Sequence, residues 1–245
     1  MKFLSTLSCL LLLATSAVAA GSVVDYEVDG VIFEGYYVAP TVAAPLVLMI
    51  HDWDGLNGYE IKRAEMLAAL GYTVFAADLF GKGIRPASID EKRQRTGALY
   101  ADRPRLRALL QGALAAAKKK GARIDNAVAV GYCFGGAAVL EMARSGTELK
   151  GFVSFHGGLD LPPGQDYTKV RGSVLILHGT ADSSVSMDDF AALAIALESA
   201  AVSHEMITYS GAPHAFTVFG SERYHQEADQ KSWRRFVDYL AVTLR

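Results

Sequence analysis

The sequence predicts an α/β fold with a mostly parallel central sheet, an N-terminal antiparallel hairpin and helices on both faces. Three observations carry that prediction. Short apolar runs alternate with longer amphipathic stretches, the pattern of strands covered on both faces and joined by crossover helices. Val23 to Tyr37 instead alternates apolar and polar residues through Asp29-Gly30, as a hairpin does. Lastly, Gly131-Tyr132-Cys133-Phe134-Gly135-Gly136 follows the run Ala127 to Val130, reading as a strand, a sharp glycine-flanked turn and a helix.

Taken in order, the buried-strand runs after the hairpin are Leu46 to Ile50, Tyr72 to Ala77, Ala127 to Val130, Phe152 to Phe155 and Val174 to Leu177. A last strand is expected over Glu205 to Tyr209. Helical periodicity marks Tyr59 to Leu70, Ile89 to Lys119, Gly135 to Arg144, Ser186 to Ala200 and Glu222 to Thr243. The long second stretch should break at Asp102-Arg103-Pro104, because proline cannot donate to an interior helical ladder. Lys118-Lys119-Lys120, just before Gly121, places positive charge at the negative end of a helix dipole. No internal repeat or low-complexity linker divides the chain, so residues 21–245 are expected to form one domain.

Residues 1–20 read as a secretory signal peptide: Lys2, an apolar core from Leu10 to Ala14, then the small-residue pattern Ala17-Val18-Ala19. The apolar core is too short to span a bilayer comfortably. Cleavage after Ala19 or Ala20 would export the protein to the periplasm or the medium. It would also remove Cys9, which precedes the apolar core where a lipidated cysteine should follow it. Cys133 is then the sole thiol of a mature chain of about 225 residues. Of the 24 Lys+Arg in the full sequence Lys2 leaves with the leader, so 23 bases face 26 acids, a net charge of −3. Such a balance argues against a nucleic-acid partner, and no later segment is apolar for long enough to insert in a membrane. A monomer is expected.

The turn around Cys133 has the form of the G-x-S-x-G nucleophile elbow of α/β-hydrolases, with sulfur at the tip. In open α/β sheets ligands bind beyond the carboxyl ends of the strands. Three other strand ends carry polar chemistry: His51-Asp52-Trp53-Asp54-Gly55-Leu56-Asn57, His178-Gly179-Thr180-Ala181-Asp182 and Gly211-Ala212-Pro213-His214-Ala215-Phe216. The chain order nucleophile, acid, histidine selects Cys133, Asp182 and His214. Cys133 would attack an acyl carbonyl, His214 would take and return the proton, and Asp182 would orient the imidazole. Asp160 and Asp188 are rivals for the acid, and the position of Asp182 after a strand favours it. The backbone N–H groups of Phe134 and Trp53 are the expected oxyanion donors. His178 reads as a buried strand-end histidine, His204 and His225 as surface positions, and His156 as a candidate for the pocket lining. Asp52 and Asp54 lack a second cluster of ligands, so no metal site is assigned.

Together Gly131 to Gly136, the loop ending Gly55-Leu56-Asn57, Ala77-Asp78-Leu79-Phe80, His178-Gly179-x-x-Asp182, His214-Ala215-Phe216 and the Tyr224 and Trp233 spacing resemble the dienelactone hydrolase family. The resemblance spans nearly the whole mature chain. It implies the α/β-hydrolase fold and hydrolysis of a small-molecule ester or lactone with neither metal nor organic cofactor. It further implies that Asp52, standing where the family has a glutamate, holds the resting thiol away from its active arrangement. The family clamps a substrate carboxylate with two arginines. Arg95 resembles one, while the segment after His214, Ala215-Phe216-Thr217-Val218-Phe219, lacks the other. The apolar replacement, Phe216 included, suggests a pocket for a less charged group. Two further readings stay open on sequence: acyl or thioester transfer at the same site, and a periplasmic binding protein that kept the fold without turnover.

Overall fold

The computed structural model describes residues 20–244, so the expected leader, Ala20 apart, lies outside the described residues together with Cys9. The hairpin is β1 (Ser22–Val28) and β2 (Val31–Val38), turning at Asp29-Gly30 with both residues at positive φ. Then follow β3 (Pro45–Ile50), α1 (Gly58–Ala69), β4 (Thr73–Ala77), α2 (Ile89–Ala101), α3 (Arg103–Lys119) and β5 (Arg123–Tyr132). The chain continues through α4 (Phe134–Arg144), β6 (Glu148–Phe155), β7 (Arg171–Gly179), α5 (Met187–Ser199), β8 (His204–Tyr209) and α6 (Gln226–Thr243).

These eight strands form one sheet in the order β1-β2-β4-β3-β5-β6-β7-β8. β1–β2 and β2–β4 are antiparallel, and every pairing beyond them is parallel. The expected α/β-hydrolase architecture is therefore observed. The apolar runs are continuous because both faces are covered. Leu46, Leu48 and Ile50 of β3 join a core beneath α2, α3, α4 and α5, while Val47 and Met49 join the core beneath α1 and α6.

The break between α2 and α3 falls where proline placed it. Asp102 caps α3 by accepting from the Arg105 N–H at 2.9 Å, with Pro104 in the first turn, where its missing N–H costs nothing. Lys118 and Lys119 occupy the last turn of α3 and Lys120 is its C-cap. The boundaries of three strands and one helix differ clearly from expectation. The strands β5, β6 and β7 run past their apolar runs, because their polar ends still pair in the ladder. Helix α6 begins at Gln226 rather than Glu222, because the His225 ring caps it by accepting from the Ala228 N–H at 3.3 Å. Among the described residues no helix is long and apolar enough to cross a membrane.

Candidate active site

The parallel strands β3, β5, β6 and β7 end at one edge, and the turn after β5 puts Cys133 at its tip. Cys133 takes φ 48° and ψ −110°, a strained backbone for a non-glycine residue. The turn is held by Cys133 N–H donating to the Phe155 carbonyl at 3.0 Å and by Gly136 N–H donating to the Cys133 carbonyl at 3.0 Å. The flanking glycines are required by space. A Cβ on Gly131 would stand 2.0 Å from the Gly135 carbonyl oxygen, and one on Gly135 would stand 2.3 Å from the Ile50 carbonyl oxygen. Gly131→Ala is accordingly expected to cost about 3 kcal/mol, lowering the melting temperature by roughly 6–12 °C. Thermal unfolding followed by circular dichroism checks this, and an unchanged midpoint would contradict it.

Three strand-end loops bring Cys133, His214 and Asp182 together. His214 Nε2 lies 3.0 Å from Cys133 Sγ, and His214 Nδ1 lies 2.8 Å from Asp182 Oδ2. Asp182 can only accept at neutral pH, so the His214 proton sits on Nδ1 and Nε2 faces the sulfur as an acceptor. Burial alone would raise the Asp182 pKa. The hydrogen bond and charge of His214, with the Val185 and Ser184 amides, hold it below the usual carboxylate range. Those amides reach Asp182 Oδ1 at 2.9 and 2.8 Å, fixing the carboxylate from its other side. The rival acids Asp160 and Asp188 are both exposed, Asp188 in the first turn of α5.

Asp52 is buried beside the thiol. Burial pushes its pKa up to about 6, against the pull of the Trp53 amide. The Cys133 thiol is itself pushed well above its ordinary range, by burial first and then by the charge and hydrogen bond of Asp52. The Phe134 amide acts the other way, favouring the thiolate from the first position of α4, where an N–H has no intrahelical acceptor. The Trp53 N–H expected as the second oxyanion donor is engaged, donating to Asp52 Oδ1 at 2.5 Å. Beneath it lies Glu60, which sequence reasoning passed over although Asn57-x-x-Glu60 is a visible capping box. Glu60 accepts from the Asp52 and Asn57 amides at 3.2 and 3.0 Å, and burial pushes its pKa up to about 8. The two amides pin the Glu60 carboxyl across this loop, while its burial and the neighbouring Asp52 disfavour a second negative charge there.

Above the sulfur opens a cavity of about 430 Å³, walled by Trp53, Ile89, Arg93, Thr96, Tyr100, Phe134, Gly158, Ser184, Val185 and Arg223 together with Asp52, Cys133, His214 and Ala215. This corrects four expectations about the pocket. Arg95 is exposed and does not line the cavity; Arg93 does. The helix period explains the difference, since Ile89, Arg93, Thr96 and Tyr100 share one face of α2 while Arg95 lies about 200° around from Arg93. Arg223, nine residues beyond His214, also lines the cavity, so two arginines border it where the sequence pointed to one. Phe216 is fully buried core, packed on Tyr209 and His156, and does not line the cavity. His156 is likewise fully buried and sits behind His214, ring centroids 5.5 Å apart, not in the cavity wall. His178 is fully buried against Phe190, as its strand-end position suggested.

Comparison with known proteins adds to this geometry. The model of the dienelactone hydrolase family matches residues 33–244. A Salmonella typhimurium protein named "Putative carboxymethylenebutenolidase" is 25% identical over 219 residues, covering 84% of this chain and 81% of that protein. Among solved structures, m3DLH is 30% identical with a TM-score of 0.86, covering 92% of this chain and 99% of its own. The dienelactone hydrolase-like promiscuous phosphotriesterase P91 from metagenomic libraries is 27% identical with a TM-score of 0.87, covering 94% of this chain and all of its own.

Proposed function

The chain belongs to the dienelactone hydrolase family, and from that premise we propose that it is an exported enzyme hydrolysing carboxylic esters or lactones through a thioester on Cys133. One observation carries the mechanism: His214 reaches both Cys133 Sγ at 3.0 Å and Asp182 Oδ2 at 2.8 Å. His214 Nε2 takes the thiol proton as sulfur adds to the acyl carbon, then returns it to the departing alkoxide. Water, deprotonated by the same nitrogen, cleaves the thioester and releases the acid. The Phe134 amide receives the developing oxyanion. The Trp53 amide joins it once Asp52 lets go, so Asp52 restrains both the thiol and one oxyanion donor in the resting enzyme. Arg93 and Arg223 at the cavity mouth favour an ester or lactone carrying a carboxylate. Export rests on the N-terminal sequence alone.

A rapid-mixing experiment with an aryl ester tests the covalent step. The expected result is a burst of one phenol per enzyme and an acyl adduct on the Cys133 peptide by mass spectrometry. Steady turnover with neither burst nor adduct, including under conditions where deacylation is slowed, would sink the thioester mechanism.

The restraint by Asp52 has its own sign. Its charge and hydrogen bond both raise the Cys133 pKa, so Asp52→Asn should move the pH profile of iodoacetamide alkylation to lower pH. At pH 7, above the Asp52 pKa of about 6, the labelling rate should rise several-fold, about tenfold per pKa unit gained. A profile that does not move would remove Asp52 from this role.

A further inference from the structure

Behind His214 lies a buried polar network that the reaction scheme above does not use. Arg63 of α1, only 1% exposed, pairs with the buried carboxylate of Asp229 on α6. Its NH2 also donates to the Thr217 carbonyl at 3.0 Å, and its Nε donates to the Tyr59 hydroxyl at 3.3 Å. Tyr59 Oη lies 2.7 Å from Thr217 Oγ1, which in turn lies 2.7 Å from His156 Nε2.

The chemistry fixes the first link of this chain. A guanidinium can only donate, so the Tyr59 oxygen accepts from Arg63, and the phenol and the Thr217 hydroxyl, 2.7 Å apart, share the second link. Thr217 Oγ1 and His156 Nε2 share the next hydrogen bond, and His156 Nδ1, buried with no partner, makes a doubly protonated ring costly. Burial disfavours the charged form of His156 as well. The ring so fixed packs edge-to-face on His214, centroids 5.5 Å apart, and on Phe216 at 5.3 Å.

Two features mark this as more than packing. His156 holds φ 40°, a conformation costly for a side-chain-bearing residue and found where the surroundings over-determine it. A buried arginine–carboxylate pair seldom repays its own desolvation in stability, so its value here lies in geometry. What it grips is the segment just after His214: the Thr217 carbonyl directly, and the Thr217 hydroxyl through Tyr59.

We infer that Thr217 and His156 are positioning residues for the general base, the hydrogen-bonded chain from Arg63 through Tyr59 and Thr217 fixing the His156 ring against which His214 is set. The inference rests on His214 acting as proposed. Its effect falls on the reacting geometry rather than on substrate binding, because neither Thr217 nor His156 lines the cavity.

Thr217→Val, nearly isosteric, removes the hydroxyl while keeping the Thr217 carbonyl for Arg63. It is expected to lower kcat about tenfold or more with KM within about twofold, as a displaced catalytic group does. Thr217→Ser, restoring the hydroxyl, should return kcat to within about threefold of wild type. Tyr59→Phe cuts the chain one link upstream and should lower kcat in the same way. A Val variant with wild-type kcat, a Ser variant no better than Val, or a loss confined to KM would each overturn the inference. If the Val variant does not fold, a Tyr59→Phe enzyme with wild-type kcat does so instead. His214→Ala is measured alongside: if it keeps wild-type turnover, the underlying reading has failed, whereas its inactivity beside an unaffected Thr217→Val fails the positioning role alone.

Discussion

Cys133→Ala is expected to lower kcat on aryl esters by about 10,000-fold or more, because removing the proposed nucleophile removes the proposed covalent route and leaves only binding and oxyanion stabilisation. KM should change little, since the methyl group left behind still sits in an intact elbow. Cys133→Ser sharpens the test. Its oxygen is held by the same turn, yet a C–O bond is shorter than C–S, so the attacking atom retreats from His214 and from the acyl carbon. A hydroxyl is also far less acidic than a thiol, and Asp52 beside it disfavours negative charge at that point. The Ser variant is therefore expected to retain measurable activity, about 100- to 1,000-fold below wild type. Single-turnover and steady-state assays on both variants, with circular dichroism to confirm folding, decide the matter. Wild-type turnover in the Ala variant would place the chemistry elsewhere.

Much of this site was legible before any coordinates, and the reasons differ residue by residue. Cys133, Asp182 and His214 could be found because each lies just beyond an apolar run, and in a parallel sheet those positions share one edge. Break points were legible for the same local reason, as at Pro104. What sequence could not give was the direction of side chains leaving a helix or a long loop. Arg93 and Arg95 differ by two residues and about 200° of helix, so only packing of α2 on the sheet decides which enters the cavity. Arg223 is brought to the mouth by a turn-rich segment in which Val218 N–H meets the Ala215 carbonyl and Tyr224 N–H meets the Ser221 carbonyl. Nothing in the spacing announces that return. The strand-end position of His156 and the apolar segment containing Phe216 both point to the pocket, yet the two side chains serve as packing behind His214. The occupied Trp53 amide was equally invisible, since it depends on where a single carboxylate turns.

Substrate choice is where the arginine pair has its largest consequence. With Arg95 alone on an exposed face, a neutral substrate was the better expectation; with Arg93 and Arg223 both at the cavity mouth, a carboxylated one is. Each charge-assisted contact to a carboxylate contributes about 1.5–3 kcal/mol, or roughly 10- to 150-fold in kcat/KM. Wild-type enzyme should therefore prefer a carboxylated ester or lactone to its methyl-ester isostere by about 100-fold or more. In the Arg93→Gln, Arg223→Gln double variant that preference should collapse to within about threefold, with turnover of the neutral isostere nearly unchanged because neither arginine touches the triad. The loss should fall mainly on KM, since both charges meet the substrate before and during reaction alike. Both arginines are solvent-exposed, so added salt should erode the wild-type preference, which a buried clamp would resist. A wild-type enzyme indifferent to the carboxylate would leave the arginines without a role in selection and make the protein a broader esterase. Retained preference in the double variant would instead transfer recognition to the remaining polar walls of the cavity, Thr96, Tyr100 and Ser184.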